Sequence, residues 1–110
     1  MSDPAAVLRA RAADLDALLA RLDADGDAVR ADRADQTADD EHDPEGSTLS
    51  GEWQRIEALR RSAASERAEV DAALERVAAG TYGVCVVCGR VIPAARLEAR
   101  PFATTCVGCA

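Results

Sequence analysis

Apolar residues recur every seven positions along the first third of the chain. One such set is Leu8, Leu15, Leu22 and Val29, and a second set, three residues earlier in each repeat, is Ala5, Ala12, Leu19 and Gly26. The two sets form one apolar seam along a helix, which is the pattern of a coiled coil. We therefore predict a helix over residues 5 to about 34, and we expect the glycine in this seam to loosen or kink it.

The same spacing returns in a second stretch. Its sevenfold positions and their neighbours are Leu49, Ile56, Ala63, Val70 and Val77, with Trp53, Leu59 and Leu74. This pattern predicts a helix over about residues 48–79, whose start is capped by Ser47, Thr48 or Ser50. In so small a protein each seam can be buried only against the other helix. Because helices joined by a short turn run antiparallel, residues 1–79 are predicted to form a helical hairpin.

The segment between the two predicted helices has no apolar period. Residues 35–47 contain Pro44 and Gly46, which are typical of turns, so we expect this segment to form the tip of the hairpin. The tip is strongly acidic. Residues 32–45 hold seven acids and one arginine, a net charge of −6 out of −7 for the whole chain.

This charge pattern restricts the class of partner. All thirteen basic residues are arginines, against twenty acids, and an acidic chain is poorly suited to tracking a phosphate backbone. We therefore expect no direct nucleic-acid binding. An acidic tip favours a basic partner surface, and the alternative is a solvated loop that merely keeps the protein soluble.

Several classes of protein are excluded by what the sequence lacks. No stretch is apolar enough to span a membrane, and the N-terminus lacks the regions of a signal peptide. We therefore expect a cytoplasmic protein with no membrane partner. We find no Ser-His-Asp set, no Gly-rich phosphate loop and no paired carboxylates in an apolar setting, so no enzyme is expected and no catalytic residue is assigned.

The last third of the chain contains four cysteines in two Cys-x-x-Cys pairs. They are Cys85 with Cys88 and Cys106 with Cys109, separated by seventeen residues. In a reducing compartment this spacing favours one tetrahedral zinc ion over disulfides. All four thiolates are used, which predicts a structural rather than a catalytic site. Iron in the same sulfur cage and a redox-active dithiol are the alternatives.

The residues around these cysteines resemble a known family. Tyr82-Gly83 precedes the first pair, and Ile92, Arg96-Leu97 and the Ala99-x-Pro101-x-Ala103 pattern follow it. About thirty residues are similar in this way to the DksA/TraR family of four-Cys zinc-finger proteins. The resemblance implies a fold that is mainly α, with a long antiparallel helical hairpin over residues 1–79 and a small zinc finger over residues 80–110.

The same resemblance implies a function. Members of this family are transcription regulators that bind RNA polymerase and insert the hairpin into its secondary channel, where acids at the tip approach the active centre. Counting along the hairpin from the cysteines assigns this role to Asp39, Asp40, Glu41, Asp43 and Glu45. Asp32, Asp35 and Thr37 fit the letters of the family's tip motif but lie upstream of this turn. The alternatives are a zinc-stapled protein–protein adaptor and a thiol redox sensor.

Overall fold

The computed structural model describes residues 3–39 and 44–110, with side chains over 3–34 and 50–110. Helix α1 spans Pro4–Asp39 and helix α2 spans Pro44–Ala79. A short helix α3, Ala94–Ala99, and a 3₁₀ turn, Val107–Cys109, follow within the last third. The prediction of a mainly helical fold with a hairpin and a C-terminal four-cysteine site is confirmed.

Both long helices extend further than the sequence pattern indicated. The first continues to Asp39 instead of ending near residue 34, and the second begins at Pro44 instead of near residue 48. A proline is tolerated at the first helical position, because that residue needs no backbone N–H for the helix. The expected capping residues, Ser47, Thr48 and Ser50, therefore lie inside α2. Within the expected turn over residues 35–47, residues 35–39 belong to α1 and residues 44–47 belong to α2, and residues 40–43 lie outside the described residues.

The chain forms two compact units. Residues 15–65 make one, and residues 1–14 together with 66–110 make the other. The expected division into a hairpin over residues 1–79 and a finger over residues 80–110 stays a prediction.

The unit of residues 15–65 is held by the predicted seam. Leu22, Val29 and Ile56 form its buried cluster, and Leu18 and Trp53 pack against that cluster. The helices run antiparallel here, since Asp23 meets Arg60 whereas Gly26, further along α1, meets the earlier residue Trp53.

Gly26 has a packing role that we did not expect. It is buried within a continuous helix, and a Cβ atom placed on it would lie 3.1 Å from the Trp53 ring. The indole therefore occupies the space that any larger residue would need. The guanidinium of Arg30 lies over the same ring, 5.0 Å from its centroid, in a cation–π contact. Gly26 therefore contributes to packing in the seam, and the expectation that it loosens or kinks the helix stays a prediction.

In the other unit, Leu8 and Val70 are fully buried, and Ala5, Ala12 and Ala73 are buried near them in the sequence. Arg11 on α1 donates from Nε to Oε2 of Glu66 on α2 at 2.6 Å. Across both units the four leucine and valine positions of the first sevenfold set are buried, which confirms that register. Leu59 is 49% exposed, so its assignment to the seam is wrong. Among the described residues, neither long helix is sufficiently apolar along its length to cross a bilayer.

Candidate metal centre

The first pair of cysteines lies in a tight turn that is closed by backbone hydrogen bonds. The Cys85 N–H donates to Arg90 O at 2.8 Å, and the Gly89 N–H donates back to Cys85 O at 2.9 Å. Gly89 has a φ of 75°, in the left-handed region that a side chain would strain. Val84 and Val91 form an antiparallel bridge beside this turn. The result is a small loop that directs both cysteines to one side.

The second pair lies on the 3₁₀ turn near the end of the chain, where the Cys109 N–H donates to Cys106 O at 3.1 Å. Two hydrogen bonds tie the approach to this pair to the rest of the finger. The Val86 N–H donates to Thr104 O at 2.9 Å, and Arg96 Nε donates to Thr105 O at 2.8 Å. These acceptors are backbone carbonyls, which leave no signature in the sequence.

The four sulfur atoms meet with the dimensions of a metal site. All lie within 4.8 Å of one another, and the Sγ atoms of Cys88 and Cys106 are 3.8 Å apart. Sulfurs placed about 2.3 Å from a zinc ion at the corners of a tetrahedron are separated by about 3.8 Å. All four cysteines are free thiols. Their positions therefore fit one tetrahedral ion with no coordination position left for substrate.

The electrostatics of the cluster agree with this fit. The backbone N–H of Cys88 points at Cys85 Sγ, 3.5 Å away, and with the backbone of Cys106 it lowers the pKa of Cys85 to about 6. Hydrogen bonding to the sulfurs of Cys106 and Cys85 raises the pKa of Cys109 to about 12. Because the sulfur atoms are so close, repulsion between thiolates opposes the ionisation of all four thiols at once. A divalent cation bound among them would offset that repulsion.

The predicted tip residues are divided between described and undescribed parts of the chain. Asp39 is the last residue of α1, and Glu45 is the second residue of α2. Asp40, Glu41 and Asp43 lie outside the described residues. The assignment of these five acids to a partner-binding tip stays a prediction.

Two comparisons with known proteins each match a part of the chain. The family model of the prokaryotic dksA/traR C4-type zinc finger matches residues 80–110. An uncharacterized protein of Aquifex aeolicus (strain VF5) is 50% identical over 42 residues, which is 38% of this chain and 29% of that protein. The matched part therefore spans less than a third of that relative's length.

The structural comparison extends over nearly the whole chain. The structure of transcription factor DksA2 from Pseudomonas aeruginosa is similar with a TM-score of 0.59 and 25% sequence identity, covering 94% of this chain and 80% of that one. The zinc-finger match and this similarity of fold both support a relationship to the DksA/TraR family. Its four-cysteine cluster is a zinc-finger site that binds one zinc ion, which confirms the predicted cofactor.

Proposed function

We propose that this chain is a cytoplasmic, RNA polymerase-binding transcriptional modulator, which inserts its acidic hairpin tip into the secondary channel without binding DNA sequence-specifically. The observation that carries the proposal is the similarity of fold to a transcription factor over 94% of the chain, joined to a zinc finger of the same family. Members of the DksA/TraR family act on polymerase rather than on promoter DNA. The zinc would have a structural role, because four sulfur ligands leave no open position for catalysis.

The proposed acting group is the acidic segment at the junction of α1 and α2. It consists of Asp39, Asp40, Glu41, Asp43 and Glu45, within the region that carries −6 of the net charge of −7. Clustered like charges oppose compact folding, so their concentration in one segment is better suited to a partner than to stability. Inside the channel these carboxylates would face the cationic and metal-bearing surroundings of the active centre.

The test separates binding from effect. We would change the five tip acids to Asn or Gln and compare the variant with one in which Asp14, Asp25, Glu52, Glu69 and Glu75 are changed in the same way. The control acids are all exposed and lie on the long helices. Because five acids are changed in each variant, both variants lose five negative charges. We expect both variants to retain zinc and to bind purified polymerase nearly as well as the unchanged protein.

The difference should appear during in vitro transcription at saturating protein. The tip variant should lose most of its effect on promoter-complex lifetime, whereas the control variant should keep it. Equal effects of all three proteins would remove the tip from the mechanism and favour a zinc-stapled adaptor that uses another surface. A failure of the unchanged protein to bind polymerase at all would refute the proposal as a whole.

A further inference from the structure

A concave apolar surface lies beside the zinc finger, within the unit formed by residues 1–14 and 66–110. It is a groove of about 380 Å³ between the first turn of α1 and the finger. Its walls include Pro4, Val7, Tyr82, Leu97, Glu98 and Pro101. Apolar grooves of this size with a few polar groups are the usual form of a binding site.

The groove is built by contacts that hold its walls in place. A Cβ atom on Gly83 would lie 3.3 Å from Cδ1 of Leu97, so this leucine packs closely against the glycine and would have to shift slightly if a side chain were added there. Gly83 is buried and has a φ of 79°, which also favours glycine. The Tyr82 hydroxyl donates to Pro101 O at 2.7 Å, which ties the start of the finger to the segment that follows α3. The shape is therefore largely formed before any ligand arrives.

The polar side chains along the groove, those of Tyr82 and Glu98, offer hydrogen-bond acceptors. The hydrogen of the Tyr82 hydroxyl is already used on Pro101 O, so its oxygen can only accept another bond. Glu98 is exposed and has no ion pair among the residues that the structure describes. No Arg is among the residues that line the groove. An anionic ligand would thus find no cation there, whereas a cation would find a free carboxylate.

The start of α1 also fails to offer donors to an anion. The Asp3 side chain accepts from the Ala5 N–H at 3.2 Å, and the Asp3 carbonyl accepts from the Val7 N–H at 3.1 Å. The Asp3 carboxylate already occupies the positive end of the helix dipole. Val7 is left 39% exposed above the groove, which adds apolar surface but no charge.

We propose that this groove binds a partner polypeptide through one apolar side chain with a Lys or Arg beside it, the cation pairing with Glu98. The apolar side chain would contact Val7 and Leu97, where it leaves water. The ion pair would select the sign of the partner's charge. This surface is separate in sequence from the acidic tip, and its assignment does not depend on the identity of the tip's partner.

The test uses zinc-loaded full-length protein and three blocked dipeptides, followed through its backbone amide NMR signals. N-acetyl-Leu-Arg-amide should shift the Val7, Leu97 and Glu98 signals saturably at millimolar concentration. N-acetyl-Leu-Glu-amide should bind about tenfold more weakly, since attraction to Glu98 is replaced by repulsion. N-acetyl-Ala-Arg-amide should also bind about tenfold more weakly, because it lacks most of the apolar surface.

A matched pair of variants then isolates the carboxylate. Glu98→Gln should abolish the preference for Leu-Arg over Leu-Glu while leaving zinc content unchanged. Glu69→Gln, which removes an exposed acid from α2 away from the groove lining, should leave that preference as it was. The proposal is overturned if Leu-Arg causes no saturable shifts at the groove, if the three dipeptides bind equally, or if Glu98→Gln keeps the preference.

Discussion

The zinc finger and the middle of the hairpin bury apolar side chains in very different ways. Within the described part of residues 15–65 the buried leucine, valine and isoleucine side chains follow one periodic seam, at Leu15, Leu22, Val29 and Ile56. Within residues 80–110 the fully buried side chains are those of Cys85 and Ile92. Four valines of the finger, Val86, Val87, Val91 and Val107, are at least 66% exposed. The hairpin therefore distributes its stabilisation along the chain, whereas the finger concentrates it at one ion.

Removal of zinc should have the largest effect on folding. It should unfold the finger and leave the hairpin folded. Structural zinc ions contribute about 10–16 kcal/mol to the folding of small modules, and the finger has little apolar core to replace that. Chelation should unfold residues 81–110, with loss of dispersed amide signals from Cys85 and Ile92. The helical circular dichroism of the hairpin should remain, and added zinc should restore the finger.

The zinc content and the response of the hairpin to chelation test this difference between finger and hairpin. Elemental analysis of protein produced with adequate zinc should give about one zinc per chain, the number that four thiolates can hold. A preparation without metal but with a folded finger would show that the cysteines do not hold it together. Parallel loss of Leu22 and Ile56 signals on chelation would show that the hairpin also depends on the ion.

The next largest effect should come from a charge placed in the seam. Leu15 is 3% exposed, so Leu15→Asp would bury an unpaired carboxylate and should cost several kcal/mol of unfolding free energy. The same substitution at Ala10, which is exposed on α1, should cost about 1 kcal/mol or less through lower helix propensity. Thermal unfolding of the two variants measures the difference. Equal losses in melting temperature would refute the assigned register.

The hairpin shows which part of a fold a sequence pattern can predict. The sevenfold set on α1 is buried as expected, because a long helix with one apolar stripe has few other ways to bury it. On α2 the pattern failed at Leu59, next to Arg60, whose Nε donates to Asp23 at 2.5 Å. The positions three and four residues away from a seam residue lie on nearly the same face of the helix. Packing against the facing helix determines which of the two is buried. Ala73, which is fully buried, was missed because alanine carries little hydrophobic signal.

The metal centre and the groove also differ in how far the sequence predicts them. The spacing of four cysteines predicted the zinc site, since chelation needs particular residues at short intervals. The groove has no such signal. It depends on a positive φ at Gly83 and on a hydroxyl-to-carbonyl bond from Tyr82, and the sequence pattern indicated neither.

The close approach of Trp53 to Gly26 should give a smaller effect, measurable against a matched glycine. Gly51 is exposed on the same hairpin, and a Cβ atom there would meet nothing within 4 Å. Gly51→Ala should therefore gain most of the helix-propensity difference, about 0.5–1 kcal/mol. Gly26→Ala should gain none of it and should shift the Trp53 fluorescence, because the new methyl group presses on the ring. An equal gain from both substitutions would show that the indole does not need the space.

The smallest expected effect concerns the ion pairs that cross the hairpin. Arg11 and Glu66 have side chains that are 46% and 29% exposed, so solvent and salt screen their attraction. We expect Glu66→Gln to lower the free energy of unfolding by about 0.2–1 kcal/mol, and to do so less in 1 M salt than in 0.1 M. The control is Glu69→Gln, an exposed acid on the same helix with no ion pair among the described residues, which should change stability little and without the same dependence on salt. A loss of several kcal/mol at Glu66 would mean that charge, and not the apolar seam, holds the helices together at this point. No loss at all would assign the whole of their association to the seam.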